Sequence, residues 1–143
     1  RSLVAHPKFY FFDVGVFRAL RPRGPLDSGE EIAAAAAETL FLEELRALNH
    51  YGDLGYGLHY WRTPKGLEVD FVLYGERGLF AFEVKRGSRV RGEDLRGLQA
   101  LLEDYPMARA TVAYGGTRED RVGSIRILPF ERCLSELPAI LGS

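Results

Sequence analysis

Cysteine is nearly missing from this 143-residue chain. Cys133 stands alone, so neither an internal disulfide framework nor a thiolate zinc site can be built. Long apolar runs are missing too: the longest, Ile32 to Ala37, falls far short of the ~20 residues that cross a bilayer as a helix. Charge of one sign is missing as well. The 19 basic and 20 acidic residues leave a net charge of −1, so no global field draws in a polyanion. Any nucleic-acid contact must therefore come from local clusters. A phosphate-binding G-x-x-x-x-G-K-[ST] loop is also absent, and Gly75 to Phe80 lacks its lysine. Lysine itself is confined to Lys8, Lys65 and Lys85, and amide side chains to Asn49 and Gln99.

What is present is an ordinary globular composition, 46% hydrophobic and 27% charged, at a length that suits one core. Lys8 to Phe12 reads as a short aromatic strand, Val14 to Leu20 as a short helix capped by Asp13, and the Pro- and Gly-rich Arg21 to Gly29 as a linker. The expectation is an appendage over residues 1–29, left from an upstream region, and an α/β domain over 30–143. Within that domain the Ala-rich segment Glu30 to Asn49 predicts a long helix, with its apolar stripe on Ala34, Ala37, Phe41, Leu45 and Leu48. Strands are expected at Leu58–Arg62, Leu67–Tyr74 and Leu79–Lys85. A helix follows at Gly92–Tyr105, then strands at Ala110–Tyr114 and Ser124–Leu128 around a loop, and a closing helix at Phe130–Leu141. The order is α-β-β-β-α-β with an added β-α end, an α/β sandwich on a mixed sheet.

Chemistry concentrates on the middle hairpin. If Glu76 and Arg77 form a two-residue loop, Leu73 pairs with Phe80, Phe71 with Phe82 and Val69 with Val84, so that face is core. The other face then pairs Asp70 with Glu83 and Glu68 with Lys85. Two directly opposed carboxylates cost up to ~1 kcal/mol, which a bound cation or a retained proton would relieve. Glu38 lies beside the apolar stripe of the first helix and can bring a third carboxylate to that pair. Oxygen ligands of this kind favour Mg²⁺ or Mn²⁺ over zinc. Taken singly, Asp70 reads as a solvent-face residue, Glu83 as a member of a salt-bridge network with Lys85 and Glu68, and Glu38 as a boundary residue; their joint placement points to a site.

Glu38, the run Gly66-x-Glu68-Val69-Asp70-Phe71-Val72 and the run Phe82-Glu83-Val84-Lys85 resemble the PD-(D/E)xK restriction-endonuclease-like superfamily. More closely, the chain resembles the domain of unknown function found at the C-terminus of many prokaryotic AAA-type ATPases, to which the Lys8–Leu20 segment and Tyr60-Trp61-Arg62 also correspond. The resemblance covers nearly the whole chain. It implies a restriction-endonuclease-like αβββαβ core in which Glu38, Asp70 and Glu83 hold a divalent metal and Lys85 orients or activates the attacking water. It also implies an upstream ATPase in the full-length chain; the expected substrate is DNA, with RNA as the alternative, and the lone cysteine fits a reducing cytoplasm. In this chain Val69-Asp70 replaces the Pro-Asp of the superfamily name.

Weaker candidates surround this set. Arg86, Arg89, Arg91 and Arg96 follow Lys85 and suit phosphates near a metal, or equally a solvated helix approach. His6, His50 and His59 match no metal spacing and read as structural. Tyr51, Tyr56, Tyr60 and Trp61 read as packing residues rather than base-stacking ones, and Gln99 as an accessory at most. Three function classes stay open: a Mg²⁺-dependent phosphodiesterase, a non-cleaving module that binds DNA or a partner protein, and a homo-oligomerising interaction domain.

Overall fold

Alanine loses the least entropy on entering a helix, and the alanine run duly lies in the longest one, α1 (Gly29–Tyr51), in the computed structural model of the chain. That structure describes residues 10–13 and 29–142. The expected helix Val14–Leu20, linker residues 21–28 and His6 lie outside the described residues. After α1 come β2 (Gly57–Arg62), β3 (Glu68–Gly75) and β4 (Gly78–Lys85), an antiparallel meander. The β2–β3 turn closes with a hydrogen bond from the Thr63 N–H to the Leu67 carbonyl (2.8 Å) around Gly66, whose φ of +89° suits glycine. The β3–β4 loop has the two-residue form that parity predicts. Gly75 faces Gly78, Leu73 faces Phe80 and Phe71 faces Phe82.

A 3₁₀ turn (Gly92–Leu95) then leads into α2 (Arg96–Asp104), so the helix expected from Gly92 begins as a tighter coil. The Asp94 N–H donates to the Arg91 carbonyl at 3.0 Å, the i→i+3 bond of a 3₁₀ turn, and the Asp94 carboxylate accepts the Arg91 N–H at 2.9 Å. β5 (Arg109–Tyr114) runs parallel to β4, and β7 (Ile125–Pro129) runs parallel to β5. β6 (Asp120–Val122) adds antiparallel to β7 inside the stretch expected as loop. Its three exposed residues carry no apolar alternation, so pairing alone makes it a strand. β1 (Tyr10–Asp13) pairs with the free side of β2, giving one mixed sheet in the order β1-β2-β3-β4-β5-β7-β6. Helix α3 (Phe130–Leu141) follows β7 without a loop and ends on Gly142, φ +83°.

The sheet is covered on both faces. α1 and α3 lie on one, where Phe41 packs against Phe71, Phe82 and Phe130 with ring centroids 5.3, 5.4 and 6.2 Å apart. Phe41 is fully buried, and truncation to alanine costs ~3–5 kcal/mol, measurable by denaturant unfolding. α2 lies on the other face, its Leu98 and Leu101 buried against Val69, Val72, Ala81 and Val112. Among the described residues no helix is long and apolar enough to cross a membrane.

One expected placement is corrected. Parity put Val69 on the same face as Phe71 and Leu73, paired with Val84. Instead Val69 packs with Trp61 and Val72 under α2, while Phe71, Leu73 and Val84 pack under α1. The cause lies in the β2–β3 ladder, where His59 faces Val72 and Trp61 faces Val69. Three steps along β3 therefore match two along β2. The extra residue is a bulge at Asp70–Phe71, which reverses the alternation of the residues before it.

Candidate active site

The site grows out of that bulge. The regular β3–β4 pairing ends at Phe71–Phe82, one step short of Asp70 and Glu83. Glu83 and Lys85 alternate with Phe82 and Val84, which pack under α1, so both project from the opposite side of β4. Glu83 is only 8% exposed, one of two buried polar side chains among the described residues, with Thr111. Glu38 stands one turn before Phe41, the residue that touches both Phe71 and Phe82, the neighbours of Asp70 and Glu83. Ala37, the residue before Glu38, lines a groove with Val84, Lys85 and Arg86, so this part of α1 lies by the end of β4.

Asp70, Lys85 and Glu38 all act electrostatically on Glu83. Burial pushes the Glu83 carboxyl well above the usual carboxylate range, and the neighbouring charge of Asp70 pushes it further. Lys85 and a hydrogen bond from the Asp70 backbone pull it back, and Glu38 adds a smaller upward push. A buried carboxyl so perturbed by named charged neighbours is a candidate functional group. Neither expected pair of the polar face, Asp70–Glu83 or Glu68–Lys85, belongs to the ladder, which the bulge ends at Phe71–Phe82. Glu68 accepts the Tyr60 hydroxyl instead, and Lys85 lies 3.9 Å from Asp94.

The place is also the carboxyl end of the parallel strands β4, β5 and β7, where open α/β sheets hold their ligands. A groove of about 460 Å³ opens there, lined by Lys85, Arg86, Gly115, Gly116, Thr117 and Glu131 among others. Among the described residues no three His, Cys, Asp or Glu side chains come close enough together to hold a metal ion. Asp70 acts on Glu83 more strongly than Glu38 does. Gln99 is exposed on α2, and Tyr51 is exposed at the end of α1, whereas Tyr56, Tyr60 and Trp61 are buried packing residues.

The model of the family described as Domain of unknown function (DUF4143) matches residues 33–133, a span that holds Glu38, Asp70, Glu83 and Lys85. The chain belongs to the DUF4143 family. No curated protein and no solved structure matches it. Sequence reasoning missed two parts of this candidate site, Asp94 and the Gly115–Arg118 turn. The turn had a readable signal, Gly-Gly-Thr directly after a strand. Asp94 had none, because its approach to Lys85 depends on how the 3₁₀ turn folds back.

Proposed function

We propose that this domain is a divalent-metal-dependent phosphodiesterase of the nuclease type, acting on DNA through Glu38, Asp70, Glu83 and Lys85. The observation that carries the reading is Glu83, a buried carboxyl held among like charges at the carboxyl ends of the parallel strands. The run α1-β2-β3-β4-α2-β5 supports it, being the αβββαβ order of a restriction-endonuclease-like core.

The donor chemistry fits Mg²⁺ or Mn²⁺. The candidate ligands are carboxylate oxygens, and Mg²⁺ ordinarily takes one or two carboxylates and completes its shell with water and substrate phosphate. Asp70 and Glu83 would hold the ion, with Glu38 reaching it through water. When bound, such an ion polarises the phosphoryl oxygens and lowers the pKa of a coordinated water. The chain's own residues supply the rest. The Lys85 ammonium lies beside Glu83 and stabilises negative charge developing on the phosphate, while the Asp70 backbone hydrogen bond orients the Glu83 carboxyl. A second reading is a nuclease-like module that binds DNA or a protein partner without cleaving, and the absence of a three-carboxylate group among the described residues favours it. In either case the domain works beside an AAA-type ATPase, with which this family is often found.

Cleavage of plasmid and oligonucleotide DNA in Mg²⁺ or Mn²⁺ separates the two. Activity that disappears in Asp70→Asn and Glu83→Gln supports the enzyme. Binding without cleavage by the folded wild type supports the module.

A further inference from the structure

The turn after β5 is built more firmly than a connection requires. The Tyr114 hydroxyl donates to the Arg118 carbonyl at 2.6 Å and accepts the Arg118 N–H at 3.2 Å, so one side chain closes its own loop. Gly116 lies flat on the Tyr114 ring, where an added Cβ would come within 2.2 Å. Gly115 donates its N–H to the Gly87 carbonyl at 3.0 Å, and a Cβ there would lie 2.0 Å from the Arg86 carbonyl. The β5–β6 turn and the Arg86–Arg91 loop are therefore fastened to each other; the loop follows β4, which carries Lys85, and the turn follows β5, its parallel neighbour.

Fastening them gathers arginines. A cleft of about 620 Å³ runs between the two loops, with Arg89 and Arg91 on one wall and Arg118 on the other. Arg86 continues the series into the neighbouring groove that holds Lys85. Among the described residues Arg86, Arg89 and Arg118 make no ion pair. Two acidic residues, Glu119 and Asp120, also line the cleft, and the first is ion-paired outside it. Glu119 is held by Arg126 at 2.8 Å and Arg132 at 3.0 Å, and Asp120 accepts the Arg121 N–H at 2.7 Å. Glu93 stands 3.9 Å from exposed Arg91.

We infer that this arginine-lined cleft is a strand guide, seating successive phosphates of a nucleic-acid strand next to the Glu83–Lys85 site, and that Tyr114 is the positioning residue that sets Arg118 opposite Arg89. The inference rests on the phosphodiesterase reading for the identity of the polyanion. Arginine suits the task because its planar fork grips phosphate oxygens bidentately. A chain of net charge −1 concentrates its phosphate affinity in such a cleft rather than over its whole surface.

Fluorescence anisotropy in EDTA tests the guide without the metal, using labelled 20-mer single strand and duplex over a salt series. The wild type binds both or either at low salt, and the preference names the form of strand the cleft takes. In Arg89→Gln/Arg118→Gln the salt slope becomes shallower by about 1.4 on single strands, or about 1.8 on duplex. Tyr114→Phe keeps the ring but frees the turn, and its slope becomes shallower by up to about 0.9, the share of one phosphate contact. Circular dichroism melts confirm that each variant is folded. An unchanged slope in the double variant overturns the guide, as does displacement of the strand by polyglutamate at equal charge, which would assign the cleft to an acidic protein. An unchanged slope in Tyr114→Phe overturns the positioning role. Binding in EDTA without any cleavage in Mg²⁺ or Mn²⁺ leaves the guide standing and removes the phosphodiesterase reading, so the two fail separately.

Discussion

Two charged groups of the same size sit on this sheet and are treated in opposite ways. At the β6–β7 edge, Arg126 reaches Glu119 at 2.8 Å and Glu136 at 2.9 Å, and Arg132 reaches the same two carboxylates at 3.0 and 2.9 Å. Signs alternate around that network, and the two arginines hold the Glu136 carboxyl below the usual carboxylate range. At the carboxyl ends of β4 and β5, Glu83 is buried with Asp70 and Glu38 as like-charged neighbours and Lys85 as its cation. Lys85 is shared with Asp94 at 3.9 Å. The first arrangement lowers the energy of the folded chain. The second raises it, and a fold keeps such a cost where a ligand is to relieve it.

The sharpest way to break the comparison is to remove charge at the costly end. Glu83→Gln and Asp70→Asn each lower metal-dependent cleavage by at least ~10³-fold in single-turnover assays, the scale seen when a group needed in the transition state is lost. Lys85→Ala lowers it by ~10²–10³-fold. Glu136→Gln leaves the rate unchanged.

Stability moves the other way. The folded-state pKa of Glu83 lies above its unfolded value, so its contribution is fully favourable only below the unfolded pKa and is lost as pH rises through the folded one. Glu83→Gln therefore melts higher than wild type at pH 8, by roughly 4 °C for each kcal/mol relieved. The gap closes below about pH 4, where the wild-type carboxyl is protonated in both states. A melt in which Glu83→Gln is the less stable protein at pH 8 contradicts this.

Much of the costly end was legible in the sequence, and its failures are instructive. Parity gave the hairpin register from Phe71–Phe82 to Gly75–Gly78 because the two-residue loop puts the pairs Phe71–Phe82 and Leu73–Phe80 together on the core face. The same parity misplaced Val69. Phe71, Val72 and Leu73 are three consecutive apolar residues, which fit either face, so no local signal announces a bulge between Asp70 and Phe71. Glu38 was readable from helical spacing to Phe41. The network at the other edge was not, because β6 has only Val122 as an apolar residue and its pairing depends on β7.

The smaller effects sharpen the contrast. Glu136 has a folded-state pKa below its unfolded value, so its contribution is present above the unfolded pKa and lost as pH falls through the folded one. Glu136→Gln costs no more than ~1 kcal/mol at pH 7, since the network is partly exposed to solvent. Chemical denaturation should show that loss shrinking toward pH 3 and in 1 M salt. Smallest of all, Cys133 is fully buried and its thiol is pushed up to about 12, so a thiol reagent labels it only as the chain unfolds.

The central claim is that Glu83 is held at a cost that a divalent cation relieves. Isothermal titration of Mn²⁺ into the wild type and Glu83→Gln at pH 8 tests it most directly. The account predicts saturable binding to the wild type, accompanied by a rise in its melting temperature, and the loss of both in Glu83→Gln. Equal Mn²⁺ binding by the two proteins, or no binding by the folded wild type, would contradict it.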